Sequence, residues 1–242
     1  SQKLGKKVFI VVEKLDELAL IEKVAKELGV QPNIGLRIKL VSAGQGRWSS
    51  SAGEYSKFGL NTMELMEALE IAKSKSILDC IKLIHFHLGS QITNIRRIKD
   101  SLKEVGRFYS ELMKFGCNIQ YIDVGGGLGI DYDGSRSTCA SSTNYSVQEY
   151  ANDVVYHLLE ICKAEDLPHP NIISESGRAM TAHHSVLVVN VLDVTSFTEW
   201  SEQIGIADDA PEVVKEIFDV LDSTSNKNLI ESWHDAVHLK DE

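Results

Sequence analysis

Three short stretches hold most of the side chains that could do chemistry. His85-Phe86-His87-Leu88-Gly89-Ser90 sets two imidazoles two residues apart. Asp123-Val124-Gly125-Gly126-Gly127-Leu128-Gly129 puts four glycines into five residues. Glu175-Ser176-Gly177-Arg178 places a carboxylate three positions before a guanidinium. Consecutive glycines let the backbone approach a ligand and aim several N–H groups at one anion. A dinucleotide fingerprint would need Gly at 130, where Ile130 stands, and a helix immediately after; a loop of about fifteen residues, Asp131 to Tyr145, follows instead. On a strand, His85 and His87 share one face. They could hold a metal for hydrolysis, or one could stack on a flat cofactor with Ser90 on its phosphate. Anion cradle, flat ring, carboxylate and guanidinium fork together make the inventory of a pyridoxal phosphate site, where a carboxylate keeps the pyridine nitrogen protonated.

The elements that must position these groups alternate between apolar β-branched runs and stretches of helical period. Strands are expected at 8–12, 34–41, 81–88, 119–124, 172–175 and 185–194. Helices are expected at 16–28, from Asn61 (with Glu64 completing a capping box), at 95–115, and from Ser146 (with Glu149) to about 166. Mostly apolar strands alternating with helices imply a parallel sheet. All three motifs then fall at C-terminal strand ends, where barrel enzymes assemble their sites. The fold class read from this order is α/β: a partial (β/α)₈ barrel of five units, followed by a strand and a helical insertion. The partial barrel is expected over 1–200, with a β domain starting near 185–200. The insertion is expected over 201–242, with helices at 211–221 and 229–239.

Composition sets the outer limits. The 242 residues carry a formal charge of −10, which argues against nucleic acid or an anionic membrane surface as the main partner. A phosphorylated ligand stays compatible, since backbone N–H groups and one Arg make such sites locally. Cys80, Cys117, Cys139 and Cys162 form no C-x-x-C pair, which suits free thiols in a reducing, cytoplasmic setting. Neither a leader nor an apolar run of membrane length is visible. The chain opens on Ser1 just before a strand, which reads as a hint of further sequence upstream.

The motifs resemble those of the basic amino-acid decarboxylases of alanine-racemase-type fold, most closely their arginine-specific group. The stretches that carry the resemblance are His-Leu-Gly-Ser-Gln at 87–91, Ile-Asp-Val-Gly-Gly-Gly-Leu-Gly-Ile-Asp-Tyr at 122–132, Glu-Ser-Gly-Arg at 175–178 and Ser-Lys-Phe-Gly-Leu at 56–60. The helical tail with Glu231-Ser232-Trp233-His234-Asp235-Ala236 resembles an insertion of the arginine enzymes.

The resemblance implies decarboxylation of L-arginine to agmatine for polyamine synthesis, with pyridoxal phosphate bound. It implies that His87 stacks on the pyridine ring and that Glu175 holds its nitrogen. Ser90, Gly125, Gly126, Gly127, Gly177 and Arg178 would bind the phosphate. Ile122, Asp123, Val124, the three glycines, Leu128, Gly129, Ile130, Asp131 and Tyr132 would line the substrate pocket. It also implies a dimer-based homo-oligomer, and associates magnesium with the group without a ligand cluster to assign here. The family's Schiff-base lysine, in a Pro-Ile-Lys-Val-Asn-like context, and its Cys-Asp-Ser stretch have no match; Lys39 stands in Arg-Ile-Lys-Leu-Val. The expectation is thus a piece of such an enzyme, inactive alone, or else a non-catalytic cofactor-binding relative. A metal-dependent hydrolase on His85 and His87 ranks last, because it leaves the other motifs without a role.

Overall fold

Side-chain caps fix where two of the principal helices begin. Asn61 Oδ1 accepts the Glu64 N–H at 2.9 Å while Glu64 reaches back to the Asn61 N–H, starting a helix at Thr62. Ser146 and Glu149 make the same reciprocal pair ahead of Val147. In the computed structural model, residues 1–43, 56–185, 187–190, 192–193, 205–226 and 228–241 are described. They form two units, Ser1–Val186 and Leu187–Glu242.

The first unit runs β1 (Phe9–Val12), α1 (Leu15–Leu28), β2 (Asn33–Arg37), α2 (Thr62–Ser74), β3 (Ile81–His85), α3 (Ile95–Phe115), β4 (Tyr121–Asp123), α4 (Val147–Ala164), β5 (Asn171–Ile173) and the short α5 (Gly177–Thr181). The five strands pair in chain order, every pair parallel. Helical crossovers between parallel neighbours are what the alternating pattern requires.

Strand alternation divides the sheet's two faces. Val12, Leu36, Ile84 and Ile122 lie on one face and join Leu18 of α1, Leu65 and Leu69 of α2, Leu102 and Tyr109 of α3 and Leu158 of α4 in one apolar core. Tyr109 is fully buried and donates from its hydroxyl to the Pro168 carbonyl at 2.6 Å. The opposite face carries Arg37, His85 and Asp123 in one cross-strand row. Two residues further along each chain come Lys39, His87 and Gly125. At the β1 edge, Ile10, Leu20, Val24 and Leu28 help line an open apolar groove of about 550 Å³.

Several strand ends differ from the sequence pattern. β2 ends at Arg37, and Lys39 follows it, its N–H bonded to the Leu60 carbonyl. β3 ends at His85, and the chain turns at Gly89, with φ +117°. The strand expected at 185–194 is not formed among its described residues, and Leu187, Val188 and Leu192 are exposed. A β-branched run becomes a strand only where a partner edge completes its hydrogen bonds. Most of the loop expected from Ser42 to Gly59 lies outside the described residues, as does 194–204, where a β domain was expected to begin. The second unit contains α6 (Glu212–Ser223) and α7 (Leu229–Asp241), which share a groove lined by Phe218, Leu221, Leu229 and Trp233. No helix among the described residues is long and apolar enough to cross a membrane.

Candidate functional site

The three motifs meet at the C-terminal ends of β3, β4 and β5, and backbone hydrogen bonds stitch them together. The Ile92 N–H donates to the Gly127 carbonyl and the Glu175 N–H to the Gly125 carbonyl, both at 2.9 Å. Gln91 pairs twice with the Ile130 backbone, donating to its carbonyl at 2.6 Å and accepting its N–H at 3.0 Å. The Tyr145 hydroxyl accepts from Gly129 N–H and donates to the Ile92 carbonyl, tying in the far end of the long loop. The glycines are required by proximity: a Cβ on Gly125 would lie 2.2 Å from the Phe86 carbonyl oxygen, and one on Gly127 2.5 Å from that of Gly89.

Arg178 extends one guanidinium N–H to the Tyr132 hydroxyl at 3.0 Å and another to Ser90 Oγ at 2.9 Å. Three exposed groups, Ser90 from the segment after β3, Tyr132 from the loop after β4 and Arg178 from α5, thus converge beside Gly177, whose Cα faces open space, with nothing within 4 Å of an added Cβ. Two hydroxyls and a guanidinium fork around a clear volume are a donor set for a phosphate.

His87 is half-buried. Burial first, then the nearby charges of Arg37 and His85, hold its imidazole below its ordinary value, against the opposing pull of Glu175 and Asp123. Its Nδ1 faces the Gly126 N–H at 3.4 Å, which makes Nδ1 the acceptor and leaves the proton on Nε2. A neutral, flat ring is therefore presented beside an exposed Glu175 carboxylate. This is a face for a planar heterocycle, with an acceptor at its edge.

Below this layer, His85 Nδ1 lies 3.0 Å from Asp123 Oδ2, yet the ring is turned so that Nδ1 makes no aligned hydrogen bond. Ligand atoms of His85, Asp123 and Glu175 lie within 4.8 Å of one another. Among the described residues His85 thus groups with two carboxylates, and His87 is not in that group. The pairing of the two imidazoles around a metal is not what the geometry brings together. Arg37 sits in the same row, bound to Glu13 at 2.5 Å and with its guanidinium 5.1 Å from the Phe58 ring centre.

Of the anticipated residues, the structure gathers His87, Ser90, the Gly125–Gly127 turn, Glu175, Gly177 and Arg178. Within the 122–132 segment, Tyr132 reaches Arg178, while Ile122, Val124, Leu128 and Ile130 are buried. Sequence reasoning missed Arg37, Gln91 and Tyr145 as parts of this site. Gln91 had a signal, since it closes the His-Leu-Gly-Ser-Gln stretch; the other two stand far from any motif.

Known proteins resemble this chain along most of its length. A family model described as pyridoxal-dependent decarboxylase, pyridoxal binding domain, matches residues 2–182. A second, described as arginine decarboxylase helical bundle domain, matches residues 207–242. The biosynthetic arginine decarboxylase of Bacteroides thetaiotaomicron is 53% identical over 243 residues, covering 100% of this chain and 39% of that protein. That of Deinococcus radiodurans is 47% identical over 237 residues, 97% of this chain and 36% of its own. The crystal structure of the biosynthetic arginine decarboxylase of Campylobacter jejuni superposes with a TM-score of 0.67 at 36% identity, covering 98% of this chain and 38% of that one. Diaminopimelate decarboxylase of Helicobacter pylori, complexed with L-lysine, gives 0.58 at 28% identity over 71% of this chain and 40% of that one. The chain therefore spans about two fifths of the relatives it matches.

Proposed function

The chain belongs to the pyridoxal-dependent decarboxylases, and from that premise we propose that it forms the phosphate and ring-nitrogen half of an arginine decarboxylase site. The observation that carries this reading is the convergence of Arg178, Ser90 and Tyr132 beside Gly177, with His87 and Glu175 alongside. The five-stranded sheet is read as five units of a (β/α)₈ barrel whose inner face bears Arg37, His85 and Asp123. The groove beside β1 is then the seat of the preceding unit, and the second unit is the helical insertion of the arginine enzymes.

In this reading Arg178, Ser90 and the Tyr132 hydroxyl grip the cofactor phosphate, with backbone N–H groups of the glycine turn. Neutral His87 packs on one face of the pyridine ring. The Glu175 carboxylate accepts the ring N–H and holds that proton in place. When bound, pyridoxal phosphate would supply the electron sink that decarboxylation of L-arginine to agmatine requires. Magnesium has no place in the proposal, because an imidazole with two carboxylates is not the all-oxygen set that ion prefers. A dimer-based assembly fits the resemblance, in which the Cys-Asp-Ser stretch comes from a partner subunit. The thiols Cys80, Cys117 and Cys162 are buried and unpaired, which suits a cytoplasmic setting.

A chimera tests the proposal. The matching segment of the Bacteroides thetaiotaomicron relative is replaced by this chain, folding is checked by circular dichroism, and agmatine is assayed. A folded chimera should decarboxylate arginine in preference to ornithine, while the 242-residue chain alone releases no agmatine. A folded but inactive chimera, or one indifferent to substrate, would refute the reading.

A further inference from the structure

Asp123 is the one buried carboxylate among the described residues, 6% exposed, and no cofactor contact above makes use of it. Its Oδ1 accepts the Gly125 N–H at 2.9 Å, and its Oδ2 lies 3.0 Å from His85 Nδ1. Gly125 stands at φ +66° with its Cα against the Phe86 carbonyl, so its conformation is demanding as well as crowded. The Gly125 carbonyl accepts the Glu175 N–H, and the next amide, Gly126 N–H, faces His87 Nδ1. One carboxylate therefore anchors the Val124–Gly125 peptide, immediately before the Gly125–Gly126 peptide whose carbonyl seats Glu175 and whose N–H faces His87 Nδ1. Three consecutive glycines have wide conformational freedom, and a buried carboxylate is costly unless hydrogen-bonded. The Asp123–Gly125 bond answers both problems at once.

We propose that Asp123, flanked by His85, is a positioning residue: through Gly125 it fixes the backbone that seats Glu175 at the ring nitrogen, without touching cofactor or substrate. This rests on the reading that Glu175 meets that nitrogen. The alternative use of the same atoms, a cation held by His85, Asp123 and Glu175, would compete with the cofactor for Glu175.

The test is calorimetric titration of the full chain with pyridoxal phosphate and with 1-deazapyridoxal phosphate, which lacks the ring nitrogen. In the unmodified chain the nitrogen should be worth about tenfold or more in Kd, the span of a charge-assisted hydrogen bond. Asp123→Ala should bring the two affinities to within about threefold of each other, because the Gly125 N–H loses its acceptor. Asp123→Asn, whose amide oxygen can still take that N–H, should retain the discrimination to within about threefold. His85→Leu covers the case in which Asp123→Ala fails to fold, and should lower the discrimination by about threefold by removing the imidazole 3.0 Å from Asp123 Oδ2 that flanks the carboxylate. A folded Asp123→Ala that weakens both ligands by the same factor overturns the proposal, since that is the mark of a merely structural residue. So does undiminished discrimination in His85→Leu. An unmodified chain that binds pyridoxal phosphate without preferring it to the deaza analogue would overturn the Glu175 reading itself, and this proposal with it.

Discussion

Alanine at Gly125 is the sharpest structural perturbation of this site. The residue stands at φ +66°, so any L side chain there costs about 1–2 kcal/mol. The added Cβ would lie 2.2 Å from the Phe86 carbonyl oxygen and 3.3 Å from His87 Cα, both backbone atoms that no rotamer change can move. Relief needs the ends of β3 and β4 to part, an overpacking cost of about 1–3 kcal/mol. Parting them strains the bond from Glu175 N–H to the Gly125 carbonyl, worth about 1 kcal/mol. The sum is about 3–6 kcal/mol, a large share of the about 5–15 kcal/mol that holds a domain together. Gly134 supplies the control: its φ is +75° with nothing within 4 Å of a Cβ, so alanine there should cost only the about 1–2 kcal/mol of backbone strain. Urea denaturation of the two variants reads the difference directly. If Gly125→Ala loses no more stability than Gly134→Ala, the close approach of the two strand ends is wrong.

Further outcomes are expected elsewhere in the molecule. Gly177→Ala should leave stability unchanged or slightly raised, being in a helix and unobstructed, yet weaken pyridoxal phosphate binding by about tenfold; calorimetry and melting curves together separate the two effects. Tyr109→Phe removes the bond to the Pro168 carbonyl and should destabilise the chain by about 1–2 kcal/mol in urea titration. His87 has a pH signature. Its folded value lies below the ordinary 6.5, so as pH falls below that value the unfolded chain takes up the proton first and stability drops. His87→Gln should lessen the fall in urea midpoint between about pH 7.5 and about pH 5.5, and an undiminished fall would show that burial at His87 is not its source.

How much of this was legible in the sequence differs from element to element. The capping boxes at Asn61 and Ser146 and the helix over Ile95–Phe115 follow from local side-chain chemistry, and local chemistry is what a sequence displays. Strand ends were less legible. The apolar pattern of β3 runs on to Leu88, whereas the strand ends at His85, with the Phe86 N–H still donating to the Asp123 carbonyl ahead of the turn at Gly89. The run from Ser185 has the composition of a strand and forms none among its described residues, since composition does not state where a partner edge lies. In the site, Glu175, His87 and Arg178 stood in motifs and could be read. Arg37 and Tyr145 could not, because each joins through contacts with residues distant in sequence: Glu13 for Arg37, and Ile92 and Gly129 for Tyr145. Asp123 could be placed at the glycine turn but not given its anchoring bond, which depends on the backbone conformation of Gly125.

The central claim, that these strand ends form the phosphate and ring-nitrogen half of a pyridoxal phosphate site, is tested most directly by titrating the chain with pyridoxal phosphate in a calorimeter. The expected result is saturable binding at one site per chain. Arg178→Ala should weaken it by about tenfold or more, because the phosphate loses a charged fork. Absence of saturable binding, or an affinity indifferent to Arg178, would contradict the account.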